Sequence, residues 1–494
     1  MIIEQLPIIN LLLFLLMALV IPLLKRKSFT ITLVLGFIVL GLVFSSSAFL
    51  LWYVNNVGDI SYTFGGHEAK FGIEFLVNPF SALFTTMIVG LAMIIYIYSS
   101  GDATEGIEST EYGRYYVLLF ILLMSMFGIL YTNDLFNTYV FIEILSITTC
   151  SIISIKKKKD TYTSAFRYLM MNEIGSLSYL LGIALIYMAT GYTNIELVSS
   201  SIGPVFAANP TNIIMAVGFI VIGFGIKAAV FPFHVWLPDA YSSAPSTSSA
   251  ILSGIVSKGY LLVLIKILYK VFGLDILGEL NIQIMLLVLA ATAMIAGSIF
   301  AIAQKDVKRM LAYSSVSQVG YILLGIALFS FLGLRAAFFH IFSHALMKTA
   351  LFLSVGEIIF YKKTRKVNDF DGLGYIMPVA MGVFSIAALG MIGIPLTSGF
   401  VSKLNLGIAA LDGNYTIFLV VLIVSSLLNV VYYLPIIILA FLRNEKYHYR
   451  LTAIEHTPTT MITPLFILAG LILAIGIFPN LILPLIDAAI STLI

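Results

Sequence analysis

Fourteen apolar runs constrain this chain more than any other feature. They fall at about 6–24, 29–52, 79–99, 115–132, 134–155, 162–190, 211–231, 247–269, 281–303, 311–331, 335–361, 375–411, 415–442 and 459–490, and each holds at least 18 residues. A run of that length can cross the hydrocarbon layer of a bilayer as a helix. Lipid offers no hydrogen bonds, so a spanning segment must be a helix or a strand of a closed barrel. Polar residues do not alternate along these runs, which removes the barrel. The chain is therefore expected to be an all-α integral membrane protein of about 14 transmembrane helices, one polytopic domain over residues 1–494. Composition agrees. Only 10% of residues are charged and 60% are apolar, against about 25% charged in an ordinary soluble domain. A soluble globular protein, a disordered chain and a nucleic-acid binder are excluded. The single cysteine, Cys150, allows no intrachain disulfide, Cys-ligated iron–sulfur cluster or structural zinc site. Lys25-Arg26-Lys27 follows the first run instead of preceding it, which argues against a cleaved signal peptide.

Lysine and arginine give the orientation. Eighteen of them fall in alternate loops: Lys25–Lys27, Arg114, Lys156–Lys159, Lys305/Lys308/Arg309, Lys362/Lys363/Arg365/Lys366 and Arg443/Lys446/Arg450. The opposite loops hold three, Lys70, Lys270 and Arg335. Basic loops stay in the cytoplasm, so both termini are expected on the outer face of the cell membrane. The loop 53–78 alternates apolar and polar residues around Gly65-Gly66 and predicts a small β-hairpin. Two spans meet prolines where a simple helix should continue: Gly223 and Gly225 precede Pro232, and Gly390 and Gly393 precede Pro395. Each proline breaks or kinks its helix, and each break lies near a lysine, Lys227 or Lys403. Two matching interrupted helices suggest an internal repeat with an ion path at the breaks.

An ionisable side chain at the bilayer centre costs at least about 2.5–3.5 kcal/mol, so each one in a span needs a reason. Glu143 lies nine residues into the fifth span, roughly 14 Å deep at 1.5 Å per residue. Lys227, Lys258 and Lys403 sit in the seventh, eighth and twelfth spans. His340, His344 and Lys348 share one helix face at i, i+4 and i+8. Glu143, Lys227, Lys258, His340, His344, Lys348 and Lys403 are read together as a proton relay. The bland alternatives are a structural ion pair, ammonium groups capping loose carbonyls, and satisfied core histidines. Lys266, near a span end, reads as snorkelling. Arg167 is as well explained by anchoring as by function, Glu173 is ambiguous, and Glu357, one turn from the basic face, reads as structural. No cofactor is expected in this chain. The other histidines, His67, His234, His448 and His456, lie in or near loops and offer no second haem ligand or metal cluster.

Several long motifs, in order, carry a resemblance that spans nearly the whole chain. They are Phe231-Pro-Phe-His-Val-Trp-Leu-Pro-Asp-Ala240, then Ala244-Pro-Ser and Lys258; Gln304-Lys-Asp-Val-Lys-Arg-Met-Leu-Ala-Tyr-Ser-Ser315; His340-x3-His-x3-Lys348; and Gly393-Ile-Pro-x3-Gly-Phe-x2-Lys403. The chain resembles the antiporter-like, proton-translocating subunits of respiratory complex I, membrane-bound hydrogenases and multisubunit (Mrp-type) cation/proton antiporters. The resemblance implies two inverted five-helix repeats, about 110–270 and 281–443, with broken helices 7 and 12. It also implies a central hydrophilic axis, a Glu143–Lys227 pair, the helix-eight lysine at Lys258 and the terminal residue at Lys403. In its lysine at 403 the chain is similar to the D-type antiporter subunit and to the related hydrogenase subunit. Asn78 and Arg167 depart from the aspartate and lysine usual in relatives. The partners implied are other membrane subunits of such an assembly, the lipid bilayer and protons, with Na⁺ left open between this chain and a neighbour.

Two other functions compete with proton translocation. One is a quinone- or haem-binding redox subunit, which the cysteine and histidine counts disfavour. The other is a stand-alone broken-helix solute carrier, for which a line of lysines with one deep glutamate suits protons better than an organic solute. The sequence does not decide whether redox chemistry or an ion gradient drives the chain.

Overall fold

A computed structural model describes residues 2–25, 28–66, 72–101, 106–442 and 457–494. Lys70, His67, Arg443, Lys446, His448, Arg450, His456 and the Arg26-Lys27 pair lie outside these residues. About 86% of the described residues are helical. Among the described residues, 12 helices are long and apolar enough to cross a membrane. The other two expected spans are present in interrupted form. The eighth runs over 246–272 but widens into π turns at Leu252–Val256 and Ile267–Phe272. The twelfth is two half-helices, Pro378–Ile392 and Ser398–Asp412. The outer surface of the bundle carries large exposed apolar side chains, such as Leu19, Phe166, Met188 and Leu427. Lipid is as apolar as leucine, so nothing drives these side chains inward.

The expected hairpin forms: Ile60–Thr63 pairs antiparallel with Glu74–Val77, Ile60 opposite Val77. Gly65 and Gly66 turn it with positive φ of 68° and 70°, a region glycine enters without steric cost. Four of the basic loops gather on one face. Lys156, Lys158, Arg167, Arg309 and Arg365 line one cavity there, and Glu111 bridges Lys157 at 2.7 Å to Arg114 at 2.8 Å. Arg167 pairs with Asp239 at 2.5 Å, so it is an anchor on this face.

The seventh span breaks earlier than its proline suggests. Its helix, Pro210–Lys227, ends on the lysine itself, and Ala229 then takes a left-handed φ of 56°. The Ile226 carbonyl accepts from the Ala229 amide at 3.1 Å and from the Trp236 indole N–H at 3.0 Å. Against this helix end the sixth span, Lys159–Thr190, crosses closely: a Cβ on Gly223 would lie 2.7 Å from the Gly175 carbonyl oxygen. The twelfth span is pinched likewise, since a Cβ on Gly399 would lie 1.8 Å from the Gly390 oxygen.

Candidate functional site

The Gly175–Gly223 crossing sets the first half of the site. It seats Lys227, 1% exposed, against the fifth and sixth spans. Its ammonium lies at a helix C-terminus, where the backbone dipole is negative and a cation is favoured. It donates to the Ser146 hydroxyl at 3.1 Å and lies 5.4 Å from the Tyr260 ring centre. The expected direct pair with Glu143 is not formed. Among the described residues no ion pair within 4.0 Å joins them; Ser146, one turn past Glu143 on the same helix, takes the ammonium instead. Glu143 is only half-buried, and one of its carboxylate oxygens has no hydrogen-bond partner. The charges acting on Lys227 are those of Glu143 and Glu173 together. Glu173 therefore belongs to the site, and its place two residues before Gly175 is the signal that points to it.

Tyr260 carries the site toward the eighth span. Its hydroxyl lies 3.5 Å from both Ser146 and Tyr168. Two residues earlier is Lys258, fully buried, which donates to the Ser253 carbonyl and, at 3.3 Å, to the Ser257 hydroxyl. The π turn at Leu252–Val256 holds that carbonyl beneath the lysine.

The eleventh span, Phe331–Lys362, carries the middle of the site, with His340, His344 and Lys348 all fully buried. The two imidazoles stack at 6.0 Å with an 11° interplanar angle. Nδ1 of His340 lies 2.9 Å from the Ser402 hydroxyl, and its ring stacks on Tyr321 at 5.5 Å. Both nitrogens of His344 have no protein partner. The charges of Lys258, Lys348 and His340 all reach it. Lys348 donates to the Leu311 carbonyl at 2.7 Å and to the Ser314 hydroxyl, and Ser314 lies 3.0 Å from the Tyr433 hydroxyl.

Lys403, 6% exposed, ends the row. It lies in the second half-helix of the twelfth span but reaches back across the break. It donates to the carbonyls of Met391 at 2.8 Å and Ile392 at 3.0 Å, and to Ser426 at 3.1 Å. Its ammonium sits 4.7 Å from the Tyr321 ring centre. Both breaks thus have a buried lysine beside them: Lys227 is the last residue of its helix, and Lys403 reaches back to the carbonyls that end the first half-helix. Tyr321, Ser402 and Ser426 were not singled out by the sequence, yet Tyr321 touches both His340 and Lys403.

Two other residues differ from expectation. Lys266 does not snorkel: it is 7% exposed and donates at 2.6 Å to the Thr132 carbonyl, which caps the fourth span. Glu74, nearby in the hairpin, is pushed up by burial, but donation from Ser61, Asn133 and Asn194 outweighs this and holds its carboxyl below the usual range. Glu357 is buried at 2% exposure, more deeply than its place near the helix end suggested.

A broken-helix bundle with a buried row of lysines and histidines defines an ion-translocating class of membrane protein, and comparison with known proteins places it. Residues 132–429 match the family described as NADH:quinone oxidoreductase/Mrp antiporter, transmembrane, and the chain belongs to that family. It is 36% identical to the N-type subunit of NADH-quinone oxidoreductase from Desulforudis audaxviator over 434 residues, 84% of each chain. It is 32% identical to the D-type subunit of the Na⁺/H⁺ antiporter from Alkalihalophilus pseudofirmus over 414 residues, 83% of this chain and 82% of the relative. Among solved structures it is similar to a chain of the membrane-bound sulfane sulfur reductase, an archaeal respiratory membrane complex. The TM-score is 0.91 at 28% identity, covering 99% and 98% of the two chains. The chain is thus an antiporter-like subunit. Relatives of the N and the D kind both match, so these identities do not favour the D-type branch.

Proposed function

We propose that this chain moves protons across the cell membrane as one subunit of a multisubunit membrane assembly, through Glu143 and Glu173, Lys227, Lys258, His344, Lys348, His340 and Lys403. The observation that carries this reading is the continuity of the row: the fifth to eighth, eleventh and twelfth spans each contribute a titratable group, all but the two glutamates almost wholly buried. Isolated buried charges in lipid are costly. A row of them between two helix breaks, with hydroxyls of Ser146, Tyr260, Ser314 and Ser402 between, serves proton transfer better than packing. Residues 110–270 and 281–443 are read as two inverted repeats, supported by the paired breaks with a buried lysine beside each. No cofactor is assigned to this chain.

His344 distinguishes a relay from a packed core. His340 is held by Ser402 and Tyr321, whereas His344 has no protein partner and feels charge from three neighbours. An imidazole titrates near neutrality in water, at about 6.5, and can take and return a proton. His344→Ala should slow transport by the assembled complex more than His340→Ala. Equal, negligible effects would favour the core reading.

Orientation is tested separately. With the basic loops in the cytoplasm, a reporter fused after Ile494 should be active only on the outer face, and one inserted at Lys156–Lys159 only on the inner. The reverse pattern would overturn the orientation.

A further inference from the structure

His344 and Gln318 are fully buried, yet packing leaves their polar atoms unused. Among the described residues, neither imidazole nitrogen of His344 has a hydrogen-bond partner, and neither does the amide oxygen or nitrogen of Gln318. More than about nine in ten buried polar groups in folded proteins are hydrogen-bonded. Four orphaned atoms on two residues therefore need a reason, since an apolar side chain of similar size would avoid the cost of burying them.

Three contacts bring the two residues level. Gln318 lies in the tenth span, Val307–Ala327, which packs antiparallel to the eleventh, Phe331–Lys362. Lys348 donates to Ser314, the His340 ring stacks on Tyr321 at 5.5 Å, and a Cβ on Gly325 would lie 2.9 Å from Cβ of Ala337. Each step back along the eleventh span thus matches an equal step forward along the tenth. One turn back from Lys348 is His344, and one turn on from Ser314 is Gln318. At about 3.6 residues per turn, Gln318 falls on the face of the tenth span that carries Ser314, Tyr321 and Gly325. His344 falls between His340 and Lys348 on the face opposite. The two orphaned side chains therefore face each other without a direct hydrogen bond.

We infer that Gln318 and His344 hold a buried water between them, and that Gln318 is thereby a positioning residue for proton exchange between Lys348 and His344. The inference rests on the relay reading above. A buried water takes about two to four polar partners, and the amide and the imidazole supply them. The amide carries both donors and an acceptor, so it can hold the water whichever imidazole nitrogen bears the proton. The Lys348 ammonium donates to the Leu311 carbonyl and the Ser314 hydroxyl, and a lysine has a third hydrogen to give. Residues one turn apart on a helix have Cβ atoms about 5–6 Å apart, which two hydrogen bonds of roughly 2.8 Å through one oxygen span. The step balances without another reactant. The ammonium gives a proton to the water as the water gives one of its own to the imidazole, leaving a neutral amine, an imidazolium and the water unchanged. The charges of Lys258, Lys348 and His340 reach His344. A carboxylate at 318 would pair with such cations and retain the proton, whereas an amide holds the water and does not titrate.

The test is the initial rate of proton transport by membrane vesicles carrying the whole complex. Gln318→Met keeps the length of the side chain and removes its polar atoms. It should lower the rate by about tenfold or more, in a complex that assembles at least as well, because replacing an unpartnered buried amide by an apolar group of the same shape is neutral or stabilising. Gln318→Asn is shorter but keeps the amide, and it should retain most of the rate. A role in packing alone predicts the opposite order, with Met tolerated and Asn leaving a void. Gln318→Leu, also apolar, gives the same reading if Gln318→Met assembles poorly. A wild-type rate in the assembled apolar variant overturns the assignment, and so does a loss in Gln318→Asn as deep as in Gln318→Met. Lys227→Ala is run beside them. If it transports normally, the relay reading itself has failed; if it is dead while Gln318→Met is normal, only the role of Gln318 has.

Discussion

Lys227→Ala should reduce transport on the order of a hundredfold or more, the contribution of a positioned proton carrier, in a complex that still assembles. Assembly survives because the helix end does not depend on the lysine. The Ile226 carbonyl accepts from the Ala229 amide and the Trp236 indole, the Gly225 carbonyl accepts from the Val230 amide at 2.8 Å, and the Gly175–Gly223 crossing is backbone against backbone. Transport fails because this ammonium stands between the Glu143–Glu173 carboxylates and the Tyr260–Lys258 side of the row. Glu143→Gln should also fail. Glu173 remains there, so its loss should be the smaller of the two. That ranking comes from the structure: a direct Glu143–Lys227 ion pair would make the two losses equal. Near-normal transport by correctly assembled Lys227→Ala complexes would contradict the relay.

The spans were readable because lipid leaves the chain one choice, and an apolar run of 18 residues declares it. The buried cations were readable for the same reason, since a lysine stands out in such a run. What failed was anything that depends on neighbours from other spans. Pro232 announced a break, but the helix already ends at Lys227, and Ala229 turns left-handed. Hydropathy is blind to the π turns of the eighth span, because widening a turn changes no residue's polarity. Ser314, Tyr321, Ser402 and Ser426 were invisible because polar side chains of these kinds are common in helices. A hydroxyl there can satisfy itself on its own backbone, as Ser298 does on the Met294 carbonyl. Counting residues from a span end placed Lys266 and Glu357 near water. Depth along one helix says nothing of what packs beside it, and both are buried.

At Lys403 the structure sharpens the choice between a proton donor and a fixed charge. All three ammonium hydrogens have partners, two of them carbonyls left loose by the break. Capping alone would account for that. Yet a cap needs only a donor, and this one lies over the Tyr321 ring that also stacks on His340, beside the Ser402 that His340 engages. A group that only caps has no need to stand against the last histidine of the row. If Lys403 passes protons to the opposite face, it must lose and regain one in each cycle. Arginine keeps the charge and offers donors to the same carbonyls, but does not release a proton in any accessible range. Lys403→Arg should therefore lose nearly as much transport as Lys403→Ala. Fit is a second obstacle for arginine, since Gly393 already presses on the lysine stem: a Cβ there would lie 3.0 Å from Cδ. Lys403→Gln separates the two effects. It is shorter, can donate to one carbonyl and carries no proton to give. If Gln assembles and fails, the titrating proton is what the site requires. If Lys403→Arg transports normally while Lys403→Ala does not, a fixed positive charge is enough and the donor role is wrong.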